Sequence, residues 1–172
     1  WYAVAITGSN TARFVKDEGV EKVHRRSLYT FWKRTSPPPQ MNILDAPSRE
    51  ACSVRRERTN TPLQALTTLN NEVYVEASQA MARRVLGEKH VDDRGRLTRA
   101  FRLCVSRPPN SEELRGFAGL LEASRKWYTE HADNAKSLVG NYNTKGTATD
   151  ESAAWVATCR IMLNMDEFIT RE

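Results

Sequence analysis

The residues best suited to chemistry are arginines gathered in one short run, Asp45-Ala46-Pro47-Ser48-Arg49-Glu50-Ala51-Cys52-Ser53-Val54-Arg55-Arg56-Glu57-Arg58-Thr59-Asn60. A guanidinium binds carboxylate, sulfate or phosphate through two parallel hydrogen bonds, so Arg49, Arg55, Arg56 and Arg58 converging would make an anion pocket. Asp45, Glu50 and Glu57 lie among them, and the same residues equally suit an internal polar network that fixes a loop onto neighbouring helices. A second basic cluster precedes it. In His24-Arg25-Arg26-Ser27-Leu28-Tyr29-Thr30-Phe31-Trp32-Lys33-Arg34, helical spacing would set Arg25, Tyr29 and Lys33 in line beside Leu28, Phe31 and Trp32. Cations interleaved with aromatics suit anion recognition or base stacking. They equally suit a surface helix whose arginine stems cover apolar neighbours. The candidate anion ligands are therefore Arg25, Arg26, Lys33, Arg49, Arg55, Arg56 and Arg58.

Catalytic and metal-binding patterns are sparse. The three histidines, His24, His90 and His131, stand in no metal-ligand spacing. Asp45 and Glu50 are a carboxylate pair of a very common kind, and Ser9 lacks a nucleophile-elbow motif. No glycine-rich phosphate loop occurs. Cys52, Cys104 and Cys159 form neither C-x-x-C nor C-x-x-C-H, which excludes a zinc knuckle and covalent haem attachment through these residues. Cys104 and Cys159 fall on apolar helical stripes and are expected to be buried. No metal or cofactor is expected in this chain, and its catalytic residues, if any, are unknown.

Charge is unevenly placed. Of 26 lysines and arginines in 172 residues, eleven lie in residues 1–60 against six acids, whereas residues 61–172 balance to zero. The net charge of +5 thus belongs to the first third, where any polyanion site must be sought. No apolar run approaches the roughly 18 residues needed to span a bilayer. The chain opens at Trp1 with neither a charged nor an apolar leader behind it. It therefore reads as a C-terminal piece of a longer polypeptide, with any targeting signal upstream.

The elements that must position these residues are helical. Residues 1–23 read as an extended arm with a turn at Gly8-Ser9-Asn10, and residues 24–34 as a basic helix stopped by Pro37-Pro38-Pro39, an extended connector. Residues 45–60 read as an Arg-rich loop holding a short helix. Thr61-Pro62-Leu63-Gln64 is a strong helix start, with a capping hydroxyl, proline at the first position and Gln three residues after the cap. Asn70-Asn71 breaks that helix. The next runs over 72–86 and ends at Gly87, a residue suited to a left-handed C-terminus. Leu97, Ala100, Phe101 and Cys104 mark a helix over 92–107. Asn110 with Glu113 opens another, whose buried stripe is Leu114, Phe117, Ala118, Leu121 and Tyr128. Residues 140–149 read as a mobile loop, and a last helix buries Trp155, Val156, Cys159, Met162 and Leu163. The fold class is mainly α: one irregular helical bundle of five to seven helices, with the bundle proper in 61–172.

Several stretches together resemble a known family. They are Arg25-Arg26-Ser27-Leu28-Tyr29-Thr30-Phe31-Trp32-Lys33-Arg34, the triple proline, Asp45-Ala46-Pro47-x-Arg49-Glu50, and Arg55-Arg56-Glu57-Arg58-Thr59-Asn60-Thr61-Pro62-Leu63-Gln64-Ala65-Leu66. Gly8-Ser9-Asn10-Thr11 and Leu163-Asn164-x-Asp166-Glu167-Phe168 are also similar. The family is one of large secreted planctomycete proteins with two domains of unknown function, often behind a cytochrome c domain, and the likeness is to the C-terminal domain. The resemblance implies a secreted or periplasmic location and a parent protein whose haem, where present, sits in another domain. It supplies no reaction and no catalytic residue.

The leading expectation is a non-catalytic helical accessory or scaffold module that packs against upstream domains of the same polypeptide. A module for an anionic ligand, such as a sulfated polysaccharide, is the alternative. A third reading is part of an active site completed upstream, with Asp45, Arg49, Glu50 and Arg55 converging in one cleft. A secreted setting argues against nucleic acid.

Overall fold

A computed structural model describes residues 17–33, 37–48, 50–55, 57–89 and 92–170. The chain divides into two compact units, 1–59 and 60–172, each taken by itself. Among the described residues there are nine α-helices, one 3-10 turn and no extended sheet. The mainly α bundle thus stands, with more helices than five to seven because three are of only four or five residues.

In the first unit, α1 (Val20–Val23) is a single turn, where an extended arm is expected; residues 1–16 of that arm lie outside the described residues. The basic helix over 24–34 is not formed. Ser27–Tyr29 makes one 3-10 turn, flanked by Arg26 and Thr30 in extended conformations. Tyr29, Thr30, Phe31 and Trp32 are aromatic or β-branched, and Leu28, Tyr29 and Phe31 are exposed. With no buried face to offset the nucleation cost, a weak helix former stays unwound. The prolines do not form only a connector either. Pro39 is the first residue of α2 (Pro39–Ile43), where its missing N–H costs nothing. No helix forms among the described residues of 45–60. Asp45 takes a left-handed conformation (φ 57°), and its Oδ2 accepts from the backbone N (2.9 Å) and Oγ1 (2.8 Å) of Thr59. The arginine-rich passage is therefore a loop closed at its base.

The second unit is the bundle. It comprises α3 (Pro62–Asn70), α4 (Glu72–Gly87), α5 (Asp93–Val105), α6 (Ser111–Glu130), α7 (Ala132–Val139), α8 (Thr149–Met162) and α9 (Asp166–Ile169). The capping boxes form as the sequence predicts, Thr61 with Gln64 and Asn110 with Glu113, each satisfying orphan N–H groups of a first turn. Gly87 belongs to α4 without a left-handed turn; Ser106 takes that conformation instead, ending α5 at φ 64°. His131 separates α6 from α7. Its ring stacks on Trp127 (centroids 4.2 Å) and its Nδ1 lies 2.7 Å from the Trp127 carbonyl, a bond that ends the helix without glycine or proline.

Helix α8 is the axis, packed against α4, α5, α6 and α7. Its small residues Ala153 and Ala154 let neighbouring helices approach on more than one side. Trp155, Val156, Cys159 and Met162 fill the core with Leu97, Phe101 and Leu121. Cys104 and Cys159 are buried as the apolar pattern predicts, and burial pushes the Cys159 thiol well above its ordinary range, while Cys52 is exposed. In α6 only Leu121 of the predicted stripe is fully buried: Leu114, Phe117 and Tyr128 are half-buried, and Ala118 is exposed. Residues 140–148 form the expected loop, pinned by Tyr142, whose hydroxyl donates to Glu76, and by Asn143, which accepts from Ser152.

Candidate functional site

Helix α3 is inside out. It buries Gln64, Thr67 and Thr68 and turns Leu63 and Leu66 to solvent, 54 % and 58 % exposed. Val73, in the first turn of α4, is likewise 57 % exposed. The polar side of α3 is satisfied inside. Gln64 Oε1 accepts from the Thr61 N–H (2.9 Å), Thr67 Oγ1 donates to Leu63 O (2.7 Å), and Thr68 Oγ1 donates to Asn164 Oδ1. Arg160 Nε donates to Leu69 O (2.6 Å), fastening the C-terminus of α3 to α8. Buried polar groups need such partners, and the two that reach another element, Thr68 to Asn164 and Arg160 to Leu69 O, hold α3 in the orientation that leaves its leucines outside.

The two motifs that bracket this unit meet. Asn60 Nδ2 donates to Asp166 Oδ1, Thr68 bonds Asn164, and Arg107 forks to Glu167 (2.9 Å from Nε). Phe168 packs against the core. Asn60 of the block that ends at Leu66 thus bonds Asp166 of the 163–168 run, whose Asn164 and Glu167 bond Thr68 and Arg107.

Two arginine hubs tie the helices. Arg107 holds Glu113 (2.7 Å) and Glu167 and lies 5.0 Å over the Phe101 ring. Arg125 holds Glu151 (2.6 Å), Asp93 (2.8 Å) and Glu122 (2.6 Å), and Glu151 also accepts from Trp155 Nε1 (2.9 Å). The hydrogen bonds of Glu151 foremost push the Arg125 pKa up, against desolvation. Hydrogen bonds from Arg107 foremost, and from the Asn110 backbone, hold the Glu113 carboxyl below the usual glutamate range. A depressed carboxylate contributes stability above its unfolded pKa of about 4.3, lost as pH falls through the folded value. Thermal melts taken downward from pH 6 should accordingly show a loss of stability beginning below about pH 4.3. Glu113→Gln should flatten that slope while lowering the neutral-pH melting temperature; an unchanged slope would remove Glu113 from the account. Neither hub is legible in the sequence, because the paired residues are 3 to 60 positions apart and individually ordinary.

The predicted anion ligands are distributed as follows. Arg25 is exposed, its Nε donating to Glu21 O (2.9 Å), and Arg26 is exposed beside it. Lys33 is buried and already engaged within the protein, so it does not extend that surface. Arg55 and Arg58 are exposed on the Asp45–Thr59 loop, and among the described residues no ion pair joins them to Asp45, Glu50 or Glu57. Arg49 and Arg56 lie outside the described residues, as does His90. Glu50 is exposed like Arg55, and among the described residues no group of three or more His, Cys, Asp or Glu side chains is placed to hold a metal. No helix among them is long and apolar enough to cross a membrane.

Residues 5–121 match the model of a family described as a protein of unknown function (DUF1553). The chain belongs to this family. The matched DUF1553 segment includes the arginine-rich loop, the inverted α3 and the first half of α6, while the core helix α8 lies beyond it. No curated protein and no solved structure matches the chain.

Proposed function

We propose that this DUF1553 chain is a non-catalytic helical module that packs against other domains of a larger secreted planctomycete protein, one that carries cytochrome c haem elsewhere. The inversion of α3 carries the reading. Burying a leucine stabilises by about 1.5–3 kcal/mol, so a helix that turns Leu63 and Leu66 outward forgoes that gain unless a partner covers them. The bonds of Thr68 to Asn164 and of Arg160 to Leu69 O hold the helix in this orientation, which makes the outward Leu63 and Leu66, with the exposed Val73 at the start of α4, a built apolar surface. The location, the source and the haem rest on the resemblance of the 25–66 and 163–168 motifs. The test is amide hydrogen exchange on α3 and the start of α4, compared between this chain and the longer polypeptide that contains it.

A second reading, an anionic-polysaccharide site, is favoured by the exposure of Arg55 and Arg58 on a loop clamped at its base. A ligand that binds only the folded state raises the melting temperature by mass action. Heparin at low salt should raise the melting temperature by several degrees, and Arg55→Ala with Arg58→Ala should abolish the rise without altering the unliganded melt. No rise, or one that survives the double substitution, excludes these arginines as the site.

A further inference from the structure

The hairpin of α5 and α6 leaves an open groove of about 440 Å³ on one flank, within the range of small-ligand sites. Its floor is wholly aliphatic, formed by Leu97, Leu114, Ala118 and Leu121, with no aromatic ring for a sugar or base to stack on. Leu97 and Leu121 are already almost fully buried, so the groove offers too little free apolar area for a docked helix. Its rim carries four charges that are not equivalent. Asp93 and Glu122 are paired with Arg125, at 2.8 and 2.6 Å, a guanidinium that also holds Glu151, and Asp93 is paired with Arg96 as well, at 3.3 Å. Arg94 and Arg115 are exposed, and neither has an acid partner among the described residues. Counted with their ion-pair partners, the rim charges are four guanidiniums, Arg94, Arg96, Arg115 and Arg125, against three carboxylates, Asp93, Glu122 and Glu151, and the two guanidiniums left over an aliphatic bed without an acid are Arg94 and Arg115.

We propose that the α5–α6 groove binds a small aliphatic carboxylate, its chain along Leu114 and Ala118, above the buried Leu97 and Leu121, and its anionic head on Arg94 or Arg115. The complementarity has two parts. The chain removes aliphatic surface from water, and a guanidinium supplies two directed hydrogen bonds to the head group. This goes beyond the scaffold reading and does not depend on it, since α3 and the arginine-rich loop take no part.

Isothermal titration calorimetry of the chain with decanoate, acetate and decyltrimethylammonium tests it. Decanoate should bind saturably at one site, acetate should not bind, and the cationic amphiphile should bind at least about ten-fold more weakly, the loss of one charge-assisted pair. Arg94→Ala with Arg115→Ala should weaken decanoate by about ten-fold or more, and the corresponding lysine pair should restore part of it. Ala118→Phe, an exposed position whose larger side chain fills the groove, should block binding with the melting temperature unchanged. The proposal is overturned if decanoate shows no saturable binding, if the cation binds equally well, or if the arginine double variant retains full affinity. Should Ala118→Phe destabilise the fold, the arginine pair and the cationic control decide the matter alone.

Discussion

Trp155→Ala is expected to lower the melting temperature of the bundle by about 12–20 °C. The side chain is fully buried at the centre of α8, and its Nε1 donates to Glu151. Truncating a buried tryptophan costs about 3–5 kcal/mol, from lost transfer energy plus the cavity left behind. In a unit of this size each kcal/mol moves the transition by about 4 °C. The effect is large because α8 is shared: α4, α5, α6 and α7 all pack on it, so the cavity loosens several interfaces together. Trp127→Ala is the control. That ring is 43 % exposed, stacked only on His131 and edge-on to Tyr128, and its loss should cost less than about 1.5 kcal/mol. Comparable effects from the two tryptophans, read by thermal melts, would contradict the placement of α8 at the core.

Arg125→Ala is expected to cost about 2–3 kcal/mol at low salt, the range for removing charged hydrogen bonds to groups that stay partly enclosed. The value is held below that of a buried triad because a quarter of the arginine side chain and more of Glu122 face solvent. Of its three acids Glu151 is the one that matters, since it sits at the first turn of α8 and accepts from Trp155. A double-mutant cycle of Arg125→Ala with Glu151→Gln should give a coupling of about 1–2 kcal/mol, and the same cycle with Glu122→Gln less than about 0.5 kcal/mol. Equal couplings would mean that Arg125 acts only as a diffuse surface charge.

How legible the fold was depended on whether the decisive interactions were local. Thr61 with Gln64 and Asn110 with Glu113 are three residues apart, so the starts of α3 and α6 could be read from spacing, and both capping boxes form. The apolar repeat of α8 identified Trp155, Cys159 and Met162 as core, because a helix buried on several sides needs no knowledge of its neighbours. Where the outcome rested on distant partners, the pattern misled. Leu28, Phe31 and Trp32 have helical spacing, yet Leu28 and Phe31 stay exposed and the segment does not wind into an α-helix. Ala118 fits the α6 stripe but opens into the α5–α6 groove. The facing of α3 is set by Asn164 and Arg160, about ninety residues away, and no local signal announces that Leu63 and Leu66 point outward. The arginine site was only partly legible: Arg55 and Arg58 are exposed together, whereas Lys33, placed with Arg25 by a helix that does not form, is buried.

The apolar row on α3 and α4 is the centre of the account, and hydrogen exchange tests it most directly. Amides of residues 62–73 should exchange more slowly in the longer polypeptide than in this chain, with protection centred on α3, because a covered helix opens less often than one facing water. Substituting Leu63, Leu66 and Val73 by serine in the longer polypeptide should return exchange to the rate of the isolated chain. Equal exchange in the two contexts would contradict the packing role and leave the inverted face of α3 without a partner.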